Sequence, residues 1–349
     1  MEKDVPKGTE NQGWSIAREA LLAGGMIGLL ILGLWFHTGT LPPLVVVESD
    51  SMIHEVDGEI GSIDAGDLIL VHNLEIEHVV TYAEATQPGN QHFADEMHGM
   101  GGDVIIFQKN GLESTPIIHR AILRAIPHDT RSPLNRDTGE CLDDASWDPE
   151  SVDIDGEVGT CVLTWDVPGT TLEDVETISW IFDGNNTGFY DCQRNSVYNH
   201  GEVISDYLQI VDWDPKHSGI ITLGDNNHCS VDQGSDVTPG AGGLPTQDEN
   251  GRFTYGIDAV RGEWLVGIAG GEIPWLGTVK LALSSGGPGT DYVPSSAWVG
   301  LISSIVILLA SPFILEPIIG IILASSPEIK EALREEKTSL IAEGLLEQE

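Results

Sequence analysis

The sequence predicts a mainly β domain set between an N-terminal and a C-terminal transmembrane helix. Three observations carry that expectation. The runs Ala20–Phe36 and Ala297–Leu315 are uncharged and long enough to be candidate membrane helices. Between them lie short aliphatic, β-type runs punctuated by Gly, Asp, Asn and Pro, with no helix-period run of useful length. The cations near the ends fall outside both spans: Lys3, Lys7 and Arg18 precede the first, and Lys330, Arg334 and Lys337 follow the second.

The first span ends in Trp35 and Phe36, where an interfacial aromatic pair belongs. A cleaved signal sequence is the alternative reading. The run exceeds a usual signal core, however, and no small-x-small site follows it, so an uncleaved anchor over residues 20–36 is expected. Residues 41–49 read as an apolar extended run leaving the membrane, and the strands then read as Asp67–Val71, Asp103–Phe107, Ile117–Ile126, Gly219–Leu223 and Glu263–Gly270, with a turn or two of helix near Val79–Ala85. Two stretches look like additions. Residues 72–102 are polar and His-rich. Residues 127–217 are Asp-rich, carry three of the cysteines and are long enough for a small subdomain.

The second span is expected over 297–323, continuing past Glu316 and kinked at Pro312; Glu316 is awkward at mid-membrane and comfortable if the helix ends there, and a span followed by a short interfacial piece is the other reading. The positive-inside rule places residues 1–19 and 324–349 in the cytoplasm and residues 37–296 outside, in a multi-pass protein of the cell membrane.

Charge excludes one class of partner. With 16 Lys and Arg against 55 Asp and Glu, a formal net charge of −39, there is no cationic footprint for nucleic acid. The acidity reads as a solvated, self-repelling surface suited to salty surroundings, or else as a face for a cationic partner. None of Cys141, Cys161, Cys192 and Cys229 forms a Cys-x-x-Cys pair, so zinc and redox motifs are absent. Two disulfides fit an outer compartment; four buried thiols are the alternative.

The chemistry-bearing candidates are Ser49 and Ser51 just after the apolar exit, His119 within a strand, and Asp225 and Asp232 around a Gly-Asp-Asn-Asn turn. A hydroxyl needs a nearby base to become a nucleophile, and histidine changes charge near neutral pH. An aspartate would hold the imidazole tautomer. Spacing alone makes such a trio weak. His54, His72, His78, His92 and His98 invite a metal reading but lack ligand spacing, so they are expected to be solvated. Asp148, Asp153 and Asp155 before Gly156 fail the calcium-loop pattern, and Asn185–Thr187 is a glycosylation sequon. No cofactor or metal is expected.

Five motifs in order resemble the type I signal peptidase family, in its archaeal and endoplasmic-reticulum branch. They are Ser49-Asp50-Ser51-Met52; Gly66–Val71 with Gly102–Ile106; Ile118-His119-Arg120; Gly224–Asn227 with Asp232; and Val266–Ala269 through Ile273–Gly277. The resemblance implies a signal-peptidase-type β catalytic domain and a serine endopeptidase cutting precursors after small-x-small sequences. It implies Ser51 as nucleophile, His119 as base, Asp232 as orienter with Asp225 second, and the Ser49 hydroxyl with the Ser51 N–H as oxyanion donors. The implied partners are signal peptides and the bilayer, with the protein translocation channel left open as another. Two departures stand out: extra residues between Met52 and Gly66, and one extra residue between Asp225 and Asp232. A Cys192–Cys229 bridge would tether the catalytic turn to the second addition. The rival expectations are an anchored acidic binding module on a decayed peptidase fold, and a peptidase for a narrow set of surface-protein precursors.

Overall fold

In the computed structural model, residues 12–131, 141, 146–152, 158–182, 208–233, 245–247, 253–284, 289–325 and 335 are described. The chain divides into two compact units, Met1–Ala297 and Trp298–Glu349.

The first unit opens with α1, Gln12–Thr38. Its Ala17–Thr38 stretch is long and apolar enough to cross a membrane. The strands that follow are β1 Leu44–Val46, β2 Leu68–His72, β3 Glu96–Met97, β4 Met100–Gly101, β5 Val104–Phe107, β6 Ile117–Pro127 and β7 Thr130–Arg131. Then come β8 Ser146–Val152, β9 Val158–Val162, β10 Trp165–Asp166, β11 Ile178–Phe182 and β12 Leu208–Trp213. The last are β13 Gly219–Leu223, β14 Pro245–Gln247, β15 Phe253–Tyr255 and β16 Leu265–Ile273. Short helices α2, Tyr82–Thr86, and α3, Thr278–Leu283, interrupt the β structure. A capping box starts α2: Thr81 accepts from the Glu84 N–H while Glu84 accepts from the Thr81 N–H.

The main sheet runs β1-β2-β16-β5-β6-β10, with β13 on the second edge of β6, and its pairs are antiparallel. β5 and β13 are buried along their whole length, as strands covered on both faces must be. At 11 residues β6 is long enough to change neighbours. Its start pairs with β5 (Ile117↔Phe107 to Arg120↔Val104) and its later part with β13 (Arg120↔Leu223 to Ala125↔Gly219).

Part of the stretch 127–217 packs onto the main sheet. Trp165, Ile178, Leu208, Ile210 and Trp213 join Ile122 and Leu123 of β6 and Ile221 and Leu223 of β13 in one core, which also holds Cys229 and Val231. Beside this shared core the same stretch forms two small sheets of its own, β7-β9-β8 and β11-β12. Cys141 and Cys161 are bonded, and Cys229 is also disulfide-bonded, which removes the free-thiol reading for these three. Cys192 lies outside the described residues, as do Asp153, Asp155, Gly156 and the sequon.

Helix α4, Ser295–Ser325, carries the second candidate span, Ser295–Ile321. It is continuous through Pro312, Glu316 and Pro317, so Glu316 sits inside the helix and not at its end. There is no separate interfacial piece within these residues.

Candidate active site

Alternation along β6 sends neighbouring side chains to opposite faces, and this separates two polar constellations. His119 takes one face and Arg120 the other.

On the first face, His119 Nε2 lies 2.9 Å from Ser51 Oγ and Nδ1 lies 2.6 Å from Asp232 Oδ2. The three residues come from a loop, a strand and a turn separated by 68 and 113 positions. His119 and Asp232 are buried, 4% and 1% exposed, while Ser51 is half-buried at the surface of a cavity of about 540 Å³. Val46, Val47, Ile117, Ile118 and Val231 supply its apolar lining. Ser49 Oγ stands 3.2 Å from Ser51 Oγ. Lys109 also lines the cavity; burial holds its ammonium below the usual lysine range, against the pull of the Asp232 charge.

Each member is anchored. Met52 is buried in a cluster with Val47, Ile63, Ile69, Val104 and Ala269, which seats the Ser51 loop on the sheet. The Gly224–Asn227 turn is sewn to that loop: Asn226 N–H donates to the Ser51 carbonyl at 2.8 Å and Asn226 Nδ2 to the Asp50 carbonyl at 3.0 Å. Gly224 is required by this closeness, because a Cβ there would stand 2.8 Å from both His119 Nε2 and the Ser51 oxygen. Asp232 is fixed to β13, its N–H donating to the Thr222 carbonyl at 2.9 Å and its Oδ2 receiving the Thr222 hydroxyl at 2.7 Å.

On the second face, the Arg120 guanidinium grips Asp225 through Nε at 2.8 Å and Nη2 at 2.6 Å, with both side chains 0% exposed. Nη1 meets the carbonyls of Met97 and Gly102 at 2.9 and 2.8 Å. The His-rich stretch 72–102 thus supplies the cradle of a buried arginine. His54 Nε2 adds a 2.8 Å contact to Asp225 Oδ2. Burial pushes the Asp225 carboxyl up, but Arg120 and His54 together outweigh it and hold it well below the usual carboxylate range.

Of the five sequence candidates, Ser49, Ser51, His119 and Asp232 meet at one cavity; Asp225 does not reach His119 and pairs with Arg120 and His54. His54, with a side chain 13% exposed, is therefore not a solvated histidine. Neither is His98, which burial holds below the ordinary imidazole range. His78 and His92 do lie at the surface beside Glu75 and Asp95, and His72 packs edge-on against His37. Among the described residues no three His, Cys, Asp or Glu side chains are grouped to hold a metal ion.

Sequence reasoning gave no role to Thr222, Gln233 or the arginine cradle. Nothing marks a lone threonine or glutamine before the turn is folded, although Arg120 does belong to the Ile-His-Arg motif. Comparison with known proteins adds no relative: no family model, curated protein or solved structure matches the chain.

Proposed function

We propose that the chain is a membrane-bound signal peptidase, a serine endopeptidase that removes signal peptides after small-x-small sequences. The observation that carries this reading is the unbroken hydrogen-bonded line from Ser51 through His119 to Asp232 at an open cavity. In the proposed reaction His119 Nε2 takes the Ser51 proton as Oγ attacks the scissile carbonyl. Asp232 keeps the other ring nitrogen protonated and balances the imidazolium that forms. The Ser51 N–H and the Ser49 hydroxyl would receive the oxyanion. The imidazolium then gives its proton to the leaving amine, and water hydrolyses the acyl-enzyme by the same path reversed.

Sheet topology supports an extended substrate. The order begins at β1, an edge strand, and Ile117–His119 of β6 pairs with β5 while β13 begins only at Arg120. Residues 46–49 and 117–119 both line the cavity. A peptide added between these two edges would satisfy backbone groups on both sides. Its side chains would meet the apolar walls of Val46, Val47, Ile117 and Ile118; the preference for small residues near the cut is what the family resemblance implies. Under this reading the fold is of the signal-peptidase type, α1 and α4 anchor it, and both termini face the cytoplasm. Its partners are signal peptides and the bilayer, with the translocation channel as a further candidate.

The test is processing of a membrane precursor by the full chain in liposomes, with Ser51→Ala and His119→Ala beside it. Cleavage by the wild type alone is expected. A folded wild type that cuts nothing at high or low salt, or a Ser51→Ala variant that cuts at the wild-type rate, overturns the reading. The former result would favour the binding-module alternative; cleavage confined to one surface precursor would narrow the substrate class.

A further inference from the structure

We propose that Thr222 and Gln233 are positioning residues of this site, with Gln233 aiming the Thr222 hydroxyl at Asp232. The proposal rests on the reading of Ser51, His119 and Asp232 as a catalytic set. The backbone N–H of Thr222 lies 3.0 Å from the Gln233 side chain. A backbone amide only donates, so the glutamine atom it meets is the carbonyl Oε1 and the other terminal atom is the amino group. That group donates to Thr222 Oγ1 at 3.1 Å.

A hydroxyl carries one proton. The Gln233 amino group can only donate to it, so its proton goes to the neighbour that accepts, Asp232 Oδ2, at 2.7 Å. The same oxygen faces His119 Nδ1 at 2.6 Å. Thr222, Asp232 and Gln233 are 0%, 1% and 6% exposed, so bulk water does not compete for these bonds. Thr222 is also stiff: it is β-branched and sits in a strand paired to β6 on one side.

The chemical consequence is directional. A second donor on Oδ2 stabilises the carboxylate charge and lowers its pull on the Nδ1 proton. The proton stays on Nδ1, and Nε2 keeps the lone pair that accepts the Ser51 proton. Charge reaches Asp232 from His119 on β6 and from Lys109 in the β5–β6 connection. Without the hydroxyl, Asp232 attracts the imidazolium more strongly and the base is lost to protonation at a higher pH.

The experiment follows labelling of Ser51 by a small fluorophosphonate, with precursor cleavage alongside, on the full chain in detergent across pH. The variants are Thr222→Val, Thr222→Ser, Gln233→Leu and the Thr222→Val/Gln233→Leu double. Thr222→Val is expected to slow labelling and kcat by roughly tenfold to a hundredfold, the usual worth of one bond to a charged group, with little change in KM. Its acid limb moves to higher pH. Thr222→Ser recovers most of the rate, Gln233→Leu falls between, and the double variant is no worse than Thr222→Val alone.

A wild-type rate and pH profile in Thr222→Val overturns the proposal. Equal impairment of the Val and Ser variants with an unmoved profile also overturns it, because that is the pattern of a structural role. Should Thr222→Val lose its near-ultraviolet circular dichroism, Gln233→Leu decides, and an unchanged rate and profile there sinks the idea. A wild type that labels but cuts no precursor removes the peptidase reading while the variants still judge the relay. A folded wild type that does not label removes both.

Discussion

Arg120 and Asp225 meet as a two-point pair inside the domain, 2.8 and 2.6 Å apart, with neither side chain exposed. They lie 105 positions apart in the chain, so the pair ties β6 to the turn that follows β13. Because His119 precedes Arg120, the pair also sets how β6 presents the imidazole on its opposite face. Removing one partner strands a buried charge, at a cost of about 3–5 kcal/mol. Arg120→Met is expected to lower stability by that order in urea unfolding, and Arg120→Lys to restore only part of it, since an ammonium cannot grip both oxygens.

The same pair fixes the direction of an acid effect. The Asp225 carboxyl is depressed in the folded state, so its contribution is fully present above the ordinary carboxylate range. It is lost as pH falls below that range, where the unfolded chain takes up the proton first. Urea midpoints measured downward from about pH 5 should fall in the wild type, and that part of the fall should be missing from a folded Asp225→Asn.

An opposite slope is expected at Asp64. Burial first, then the charges of Asp67 and Glu272, push its carboxyl up to about 7, despite bonds from the Glu59 N–H and the Ser62 hydroxyl. A carboxyl raised on folding holds its proton more tightly when folded, so its stabilising share is present below about pH 4 and is lost as pH rises to about 7. Asp64→Asn should flatten the decline in urea midpoint between those limits. An unchanged decline would remove Asp64 as its source.

Gly224→Ala tests how tightly the loop, strand and turn close on one another. Its Cβ would need space that His119 Nε2 and the Ser51 carbonyl occupy at 2.8 Å. Displacements near 1 Å cost about a hundredfold in rate. The variant is expected to lose about that much kcat/KM on a precursor substrate.

Ser49→Ala separates positioning from oxyanion stabilisation. Ser49 is exposed, and its Oγ contacts Ser51 Oγ at 3.2 Å, so its loss should barely alter the melting temperature. Removal of one oxyanion donor typically lowers kcat by about 10²–10³. A fall in kcat with steady KM is the expected result; a pure rise in KM would assign Ser49 to substrate binding.

Much of this was legible before folding, for local reasons. Strands such as Gly219–Leu223 and Ile117–Pro127 are aliphatic runs bounded by turn residues, so composition alone sets their limits within a residue or two. Ser51, His119 and Asp232 could be named from their motifs, but which aspartate faces the imidazole depends on the path of the turn after β13. His228 and Cys229, both at positive φ, shape that path and bring Asp232 back onto Thr222. How the stretch 127–217 packs was not legible because its large apolar residues are sparse among aspartates. Trp165, Ile178 and Trp213 become one core with Ile122 and Leu223 only after the chain has folded. His54 and His98 looked solvated for a similar reason: nothing local signals a partner 171 positions away.

The most direct measurement is the mass of the products released when the full chain, in liposomes, acts on a precursor with one small-x-small signal end. A new N-terminus immediately after that sequence is expected, formed by the wild type and absent with Ser51→Ala. Intact precursor with a folded wild type, or the same fragment from Ser51→Ala, would contradict it.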